Sequence, residues 1–193
     1  TEVFRTAQKD LEIDWASADM IYLKDRSTAS LTGSLWSFNL KTSAFRRVIS
    51  EEAGLTLKWS PSGQEAVKFS SINRQNSLTL VNGAGISLGN IANLITLPSK
   101  CGFNIDRLEI YCAAPASFGG VALPDDYWKR KIYTSYSIYV IPLSSEGHRP
   151  LGGALSLFSS SEDLTIDADQ LEIHGDKLYF IDRYDSKLYS LDI

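Results

Sequence analysis

Two cysteines, Cys101 and Cys112, and two histidines, His148 and His174, are all that this 193-residue chain offers of each type. Neither histidine stands at ligand spacing from the cysteine pair, so a zinc centre is not expected. No residue set points to any other metal or to a cofactor. Blocks of five or more like charges are also missing, and 19 Lys and Arg against 23 Asp and Glu leave a net charge of −4. Such a surface weakly repels a phosphate backbone, which argues against nucleic acid as a partner. Long apolar runs are absent: stretches such as Leu94–Leu97 fall far short of the roughly 18–20 residues that a membrane-crossing helix needs. No leader or anchor is visible either, and the chain opens on Thr1-Glu2 without methionine, directly in strand-like sequence. The expectation is that an upstream part precedes it.

What the chain does contain is a repeating β pattern. With 44% hydrophobic and 22% charged residues it has the composition of a folded globular domain and the length to bury a core. The stretch from Gly33 to Ser70 divides into four extended pieces, Leu35–Leu40, Phe45–Ile49, Leu55–Trp59 and Glu65–Phe69, with turn chemistry between them. Four short strands are the content of one repeating unit. Trp15 and Trp59 lie 44 residues apart, and Phe103 follows after the same interval, each closing a short strand that leads into a hairpin. A constant period of about 40–50 residues built from short strands indicates the four-stranded antiparallel blades of an all-β propeller. At this period the chain holds about four blades, as a closed ring or as part of a larger one. It reads as a single propeller domain over 1–193, or the C-terminal part of one.

Taken in order, Leu11–Trp15, Met20–Leu23 and Leu35–Leu40 open the first unit, and Ser60-Pro61-Ser62-Gly63 makes the next hairpin turn. Ser77–Val81, a bend at Gly83–Gly85 and an outer strand over Ile91–Leu97 continue the second unit. In the third, the strand from Ser135 to Ile141 is delayed by an insertion over 116–134, and Ala154–Phe158 is its outer strand. Leu171–Ile173, Lys177–Asp182 and Lys187–Asp192 give a last unit with three strands. Glu2–Ala7, similar to Ala44–Val48, could supply the fourth, because an open edge leaves backbone groups unpaired.

Trp59-Ser60-Pro61-Ser62-Gly63, with Leu35–Thr42 before it, resembles the WD-repeat-like propeller repeat of TolB-type bacterial proteins. In its usual form that repeat carries Ser-Pro-Asp-Gly and ends in Asp-Leu-x-Thr-Gly. Here Ser62 replaces the aspartate and Ser43 stands at the second glycine. The C-terminal half is more similar still to propeller proteins of candidate-phyla bacteria, through Leu97–Cys101, Ile110–Pro115, Pro124–Trp128, Leu178–Asp182 and Lys187–Leu191. The resemblance covers nearly the whole chain. It implies a propeller of greater length behind an N-terminal membrane anchor, and says little about activity.

A turn centred on Asp106-Arg107 places Cys101 opposite Cys112 on adjacent strands, where a disulfide can form; two buried free thiols are the other reading. A disulfide would imply an oxidising, extracytoplasmic setting. The insertion is the candidate recognition element. Asp125, Asp126, Tyr127, Trp128, Lys129, Arg130 and Tyr133 depart from the repeat and are of types enriched in binding surfaces. The alternative is that Tyr127 and Trp128 fold back as a cap. Neighbouring Asp125 and Asp126 point apart in a loop, which argues against an acid/base pair. Ser60 lies in a turn without a nucleophile elbow, Gly83–Gly85 has no following helix, and Asp182–Ser186 reads as a hairpin turn. Trp15, Trp36, Trp59, Phe103 and Tyr189 are expected between blades.

These features favour a non-catalytic binding or scaffold module outside the cytoplasm, meeting a protein or a cell-envelope polymer through its rim loops. The alternative is the propeller portion of an enzyme, either the gating propeller of a serine peptidase or a quinoprotein.

Overall fold

A computed structural model describes residues 2, 5–73, 75–91, 93–159 and 165–193. Among the described residues fifteen strands form four antiparallel sheets arranged as the blades of a β-propeller. Blade 1 is β1 (Leu11–Ser17), β2 (Met20–Asp25), β3 (Thr32–Asn39) and β4 (Phe45–Ala53). Blade 2 is β5 (Thr56–Trp59), β6 (Glu65–Ile72), β7 (Gln75–Asn82) and β8 (Ser87–Asn90). Blade 3 is β9 (Cys101–Asn104), β10 (Glu109–Pro115), β11 (Tyr136–Pro142) and β12 (Leu155–Phe158). Blade 4 has β13 (Ala168–His174), β14 (Lys177–Asp182) and β15 (Leu188–Asp192) among the described residues. Each sheet is a meander in which sequence neighbours pair, so local hairpin chemistry is enough to build it.

The hydrophobic residues alternate along these strands and the blades bury them against one another in three clusters. Blades 2 and 3 share the largest, with Val67, Phe69, Leu78, Leu80 and Ile110 all at most 2% exposed. Blades 3 and 4 meet through Tyr111, Ile138, Leu171 and Leu178. Blades 1 and 2 meet through Tyr22, Leu35, Ile49 and Leu55, where Tyr22 stacks on Trp59 at 3.9 Å and its hydroxyl donates to Gly83 O at 2.9 Å. Each fully buried side chain of this size contributes on the order of 1.5–3 kcal/mol.

The blade boundary divides the Gly33–Ser70 stretch. β3 and β4 finish blade 1 and β5 and β6 begin blade 2, so its four pieces belong to two units rather than one. Gly54 (φ +67°) makes the crossing, a conformation that a side chain would strain. The outer strand of blade 2 is Ser87–Asn90, not Ile91–Leu97. Ile91, Leu94 and Leu97 are each at most 3% exposed, a spacing of three that a strand would send to alternate faces. They instead line an irregular crossing that fills the gap between blades 2 and 3.

Of the aromatics expected between blades, Phe103 is buried and Trp59 is half-buried in its cluster. Trp36 is half-buried and stacks on Phe45. Trp15 is 66% exposed, as is Ile13 on the same face of β1, and borders a hollow that it shares with Leu57–Pro61 of blade 2. Tyr189 stacks on Phe180 but is 41% exposed, on the edge strand β15. Of the segment Glu2–Ala7 suggested to complete blade 4, Val3 and Phe4 lie outside the described residues, while Glu2 and Arg5–Ala7 are in no strand.

Candidate functional site

In a four-stranded meander the blade-to-blade crossings and the loops between second and third strands emerge on one face. On that face stand the insertion between β10 and β11, the β2–β3 loop, the β14–β15 turn and the crossing that ends in the 3-10 turn Pro98–Lys100. The insertion contains one short helix, α1 (Asp125–Trp128). Its fold is set locally by Asp126, whose carboxylate accepts from Ala122 N–H at 2.9 Å and pairs with Lys131 at 3.1 Å. These two donors, the backbone amide first, hold the Asp126 carboxyl below the usual carboxylate range. Asp125 accepts from Ala29 N–H at 3.3 Å, so the insertion reaches from blade 3 to blade 1. The neighbouring carboxylates therefore serve different partners and do not form a dyad.

The insertion is seated on a buried ionic cluster. Asp167, fully buried, receives Lys100 Nζ on Oδ1 at 2.8 Å and Arg183 Nη1 on Oδ2 at 2.9 Å. Lys100 is also fully buried, with its ammonium 3.8 Å from the ring centre of Tyr136 and 4.7 Å from that of Tyr127. Burial lowers its pKa to about 8, against the opposing pull of Asp167. Arg183 stacks over Tyr127 at 3.9 Å and near Tyr133 at 4.7 Å, and donates to the carbonyls of Tyr127 and Ile132. Burial likewise pushes the Tyr127 and Tyr136 hydroxyls up, so both stay neutral.

Tyr127, 4% exposed, is thus a structural anchor, in line with the cap reading. Trp128 is 40% exposed and Tyr133 41%, with Lys129 and Arg130 exposed beside them. Two hollows flank α1. One, about 220 Å³, is bounded by Tyr127, Trp128, Arg130, Tyr133, Asp169 and Arg183. The other, about 630 Å³, lies on the axis where the innermost strands converge, and its walls include Glu12, Lys24, Arg26, Lys58, Trp128 and Glu172.

The structure therefore joins four of the sequence-derived candidates, Tyr127, Trp128, Arg130 and Tyr133, around one hollow, and turns Asp125 and Asp126 to supporting contacts. Lys129 is exposed at the end of α1. Sequence reading missed Lys100, Asp167 and Arg183. A lysine flanked by serine and cysteine in an apolar stretch is the one local signal; its partner Asp167 lies 67 residues away, and Arg183, which shares that aspartate, lies 83 away.

Cys101 and Cys112 face each other in the β9–β10 hairpin and are disulfide-bonded, both fully buried, with Cα atoms 4.1 Å apart. On the opposite face Glu65 stands between the Ser60 and Ser62 hydroxyls and His148 Nδ1, which it meets at 2.6 Å. A carboxylate placed between serine and imidazole is not the order in which histidine activates a hydroxyl. Among the described residues, no three His, Cys, Asp or Glu side chains converge as a metal site would require.

No protein-family model matches the sequence, and no curated protein does either. Solved structures do. TolB from Acinetobacter baumannii superposes over 92% of this chain with a TM-score of 0.53 and 13% identity. The fold is that of a β-propeller, shared with TolB. Hydrazine synthase of Kuenenia stuttgartiensis (TM-score 0.58, 13% identity, 90% of this chain) and a prolyl endopeptidase (0.58, 13%, 94%) share the architecture. The chain spans 41%, 49% and 25% of the lengths of these three proteins. At such identities the likeness is one of fold.

Proposed function

We propose that this TolB-like propeller is a non-catalytic binding module that works outside the cytoplasm and recognises a cell-envelope partner through the face carrying the insertion. The observation that carries the reading is the seating of the insertion. Arg183, Asp167 and Lys100 fix it from below, and Asp125 ties it to blade 1, so that Trp128, Lys129, Arg130 and Tyr133 are held outward beside the axial hollow. Exposed aromatic and cationic side chains on a preorganised support are what a binding surface needs. The buried Cys101–Cys112 bond supports an oxidising compartment.

The test is capture of partners from solubilised cell envelope by the immobilised protein, with a Trp128→Ala/Tyr133→Ala variant alongside. Partners retained by the native protein and lost from the variant support the reading, whether they are polymer or protein. Equal capture by both, or turnover of substrate by the purified chain that a single loop substitution abolishes, overturns it. The latter result would instead favour the propeller portion of an enzyme.

A further inference from the structure

The axial hollow has a chemistry of its own. Its charges are mostly spent within the protein: Lys24 Nζ lies 2.6 Å from Glu12 Oε2, and Lys58 Nζ 2.8 Å from Glu172 Oε1. A polyphosphate, which needs several uncommitted cations, is poorly served by such a site. Arg26, exposed on the β2–β3 loop, has no ion-pair partner among the described residues. Around it the walls offer accessible hydrogen-bonding groups, the exposed Gln170 amide and the exposed carboxylates of Glu12 and Glu172 among them. Trp128 borders the hollow with part of its indole in solvent. The volume of about 630 Å³ lies inside the range of about 300–1,000 Å³ typical of small-ligand sites.

A ligand matching these groups presents an apolar face to an aromatic ring, many hydroxyls to paired polar side chains, and a single negative charge to one guanidinium. We infer that the hollow binds a short acidic saccharide, with Trp128 stacking on a sugar ring and Arg26 holding a sugar carboxylate. This rests on the binding-module reading and gives its partner a chemical class. Glu12, whose charge the buried Lys24 offsets, and the Lys58–Glu172 pair supply hydrogen bonds to hydroxyls without a strong field, and the sugar carboxylate on Arg26 fixes orientation.

Isothermal titration with cellobiouronate, a disaccharide with one carboxylate, and with its methyl ester tests it, since the ester removes that single charge and otherwise adds only a methyl group. Saturable binding of the acid is expected, with the ester about tenfold or more weaker, the worth of one charge-assisted hydrogen bond. Arg26→Gln should bring the acid down to the affinity of the ester, and Trp128→Ala should weaken both. Lys41→Gln, on the opposite face, should change neither. Both test residues are partly exposed, and an unchanged circular dichroism spectrum confirms that the variants fold. No saturable binding of either saccharide, or equal binding of both that Arg26→Gln leaves untouched, overturns the inference. Capture of a protein through Trp128 and Tyr133 in the absence of saccharide binding overturns it as well, while leaving the binding-module reading in place.

Discussion

At the scale of single residues the molecule is governed by Lys100 and the groups around it. Asp167, Asp169, Arg183, Tyr127 and Tyr136 all face this ammonium, and burial outweighs the acidic partners in lowering its pKa to about 8 from 10.5. Between those values the unfolded chain holds a proton that the folded chain has released, so this group makes stability rise with pH. Tyr127 and Tyr136 act in the opposite sense above about 10, where unfolded tyrosines ionise and the buried ones resist. The midpoint of urea unfolding is therefore expected to climb from pH 8 to about pH 10 and then fall. Lys100→Met should remove the climb, and a native profile that is flat or falling over that window would contradict the assignment. None of this was legible in the sequence. Hydrophobic periodicity reports which way a side chain points, whereas a buried ion cluster depends on which distant loops meet.

At the scale of elements the sequence was more informative, and the β9–β10 hairpin shows why. Its register follows from a turn of known position, because side-chain alternation in an antiparallel pair leaves only one set of opposed residues. Cys101 and Cys112 are such a pair, and their bond closes a short loop in the core between blades 2 and 3. A Cys101→Ala/Cys112→Ala double variant is expected to lose about 2–3 kcal/mol in the chain-entropy picture, read as a lower denaturation midpoint. Reducing agent should reach the native bond slowly, both sulfurs being buried. The crossing over Ile91–Leu97 shows the limit of the same reasoning. A short apolar run reads as a strand until it is known that it must fill a wedge between two blades.

At the scale of the whole molecule, stability is unevenly spread along the arc of blades. The central blades 2 and 3 share the largest buried cluster, while β1 at one side and β15 at the other carry exposed Ile13, Trp15, Leu188 and Tyr189. Amide hydrogen exchange is expected to proceed first in β15 and β1 and last in β6, β7 and β10; uniform protection across the four sheets would refute that ordering. The division of blades came from the 44-residue recurrence of aromatic strand ends, and the unit opening at Leu11–Trp15 has the phase of blade 1, whereas Gly33–Ser70 read as one unit straddles two blades, since only packing shows where one sheet stops. From the sequence alone followed the all-β class, about four blades of short strands, the opposition of Cys101 and Cys112 across a hairpin and the insertion as the part that breaks the repeat. All of these are written in local spacing and turn chemistry. Only the tertiary structure decided that the insertion lies across the axis on an Asp167–Lys100–Arg183 support, that Tyr127 is anchor and Trp128 surface, and that an uncommitted Arg26 faces the hollow beside it. Those facts depend on contacts between segments tens of residues apart, and contacts at that range leave no period in the chain.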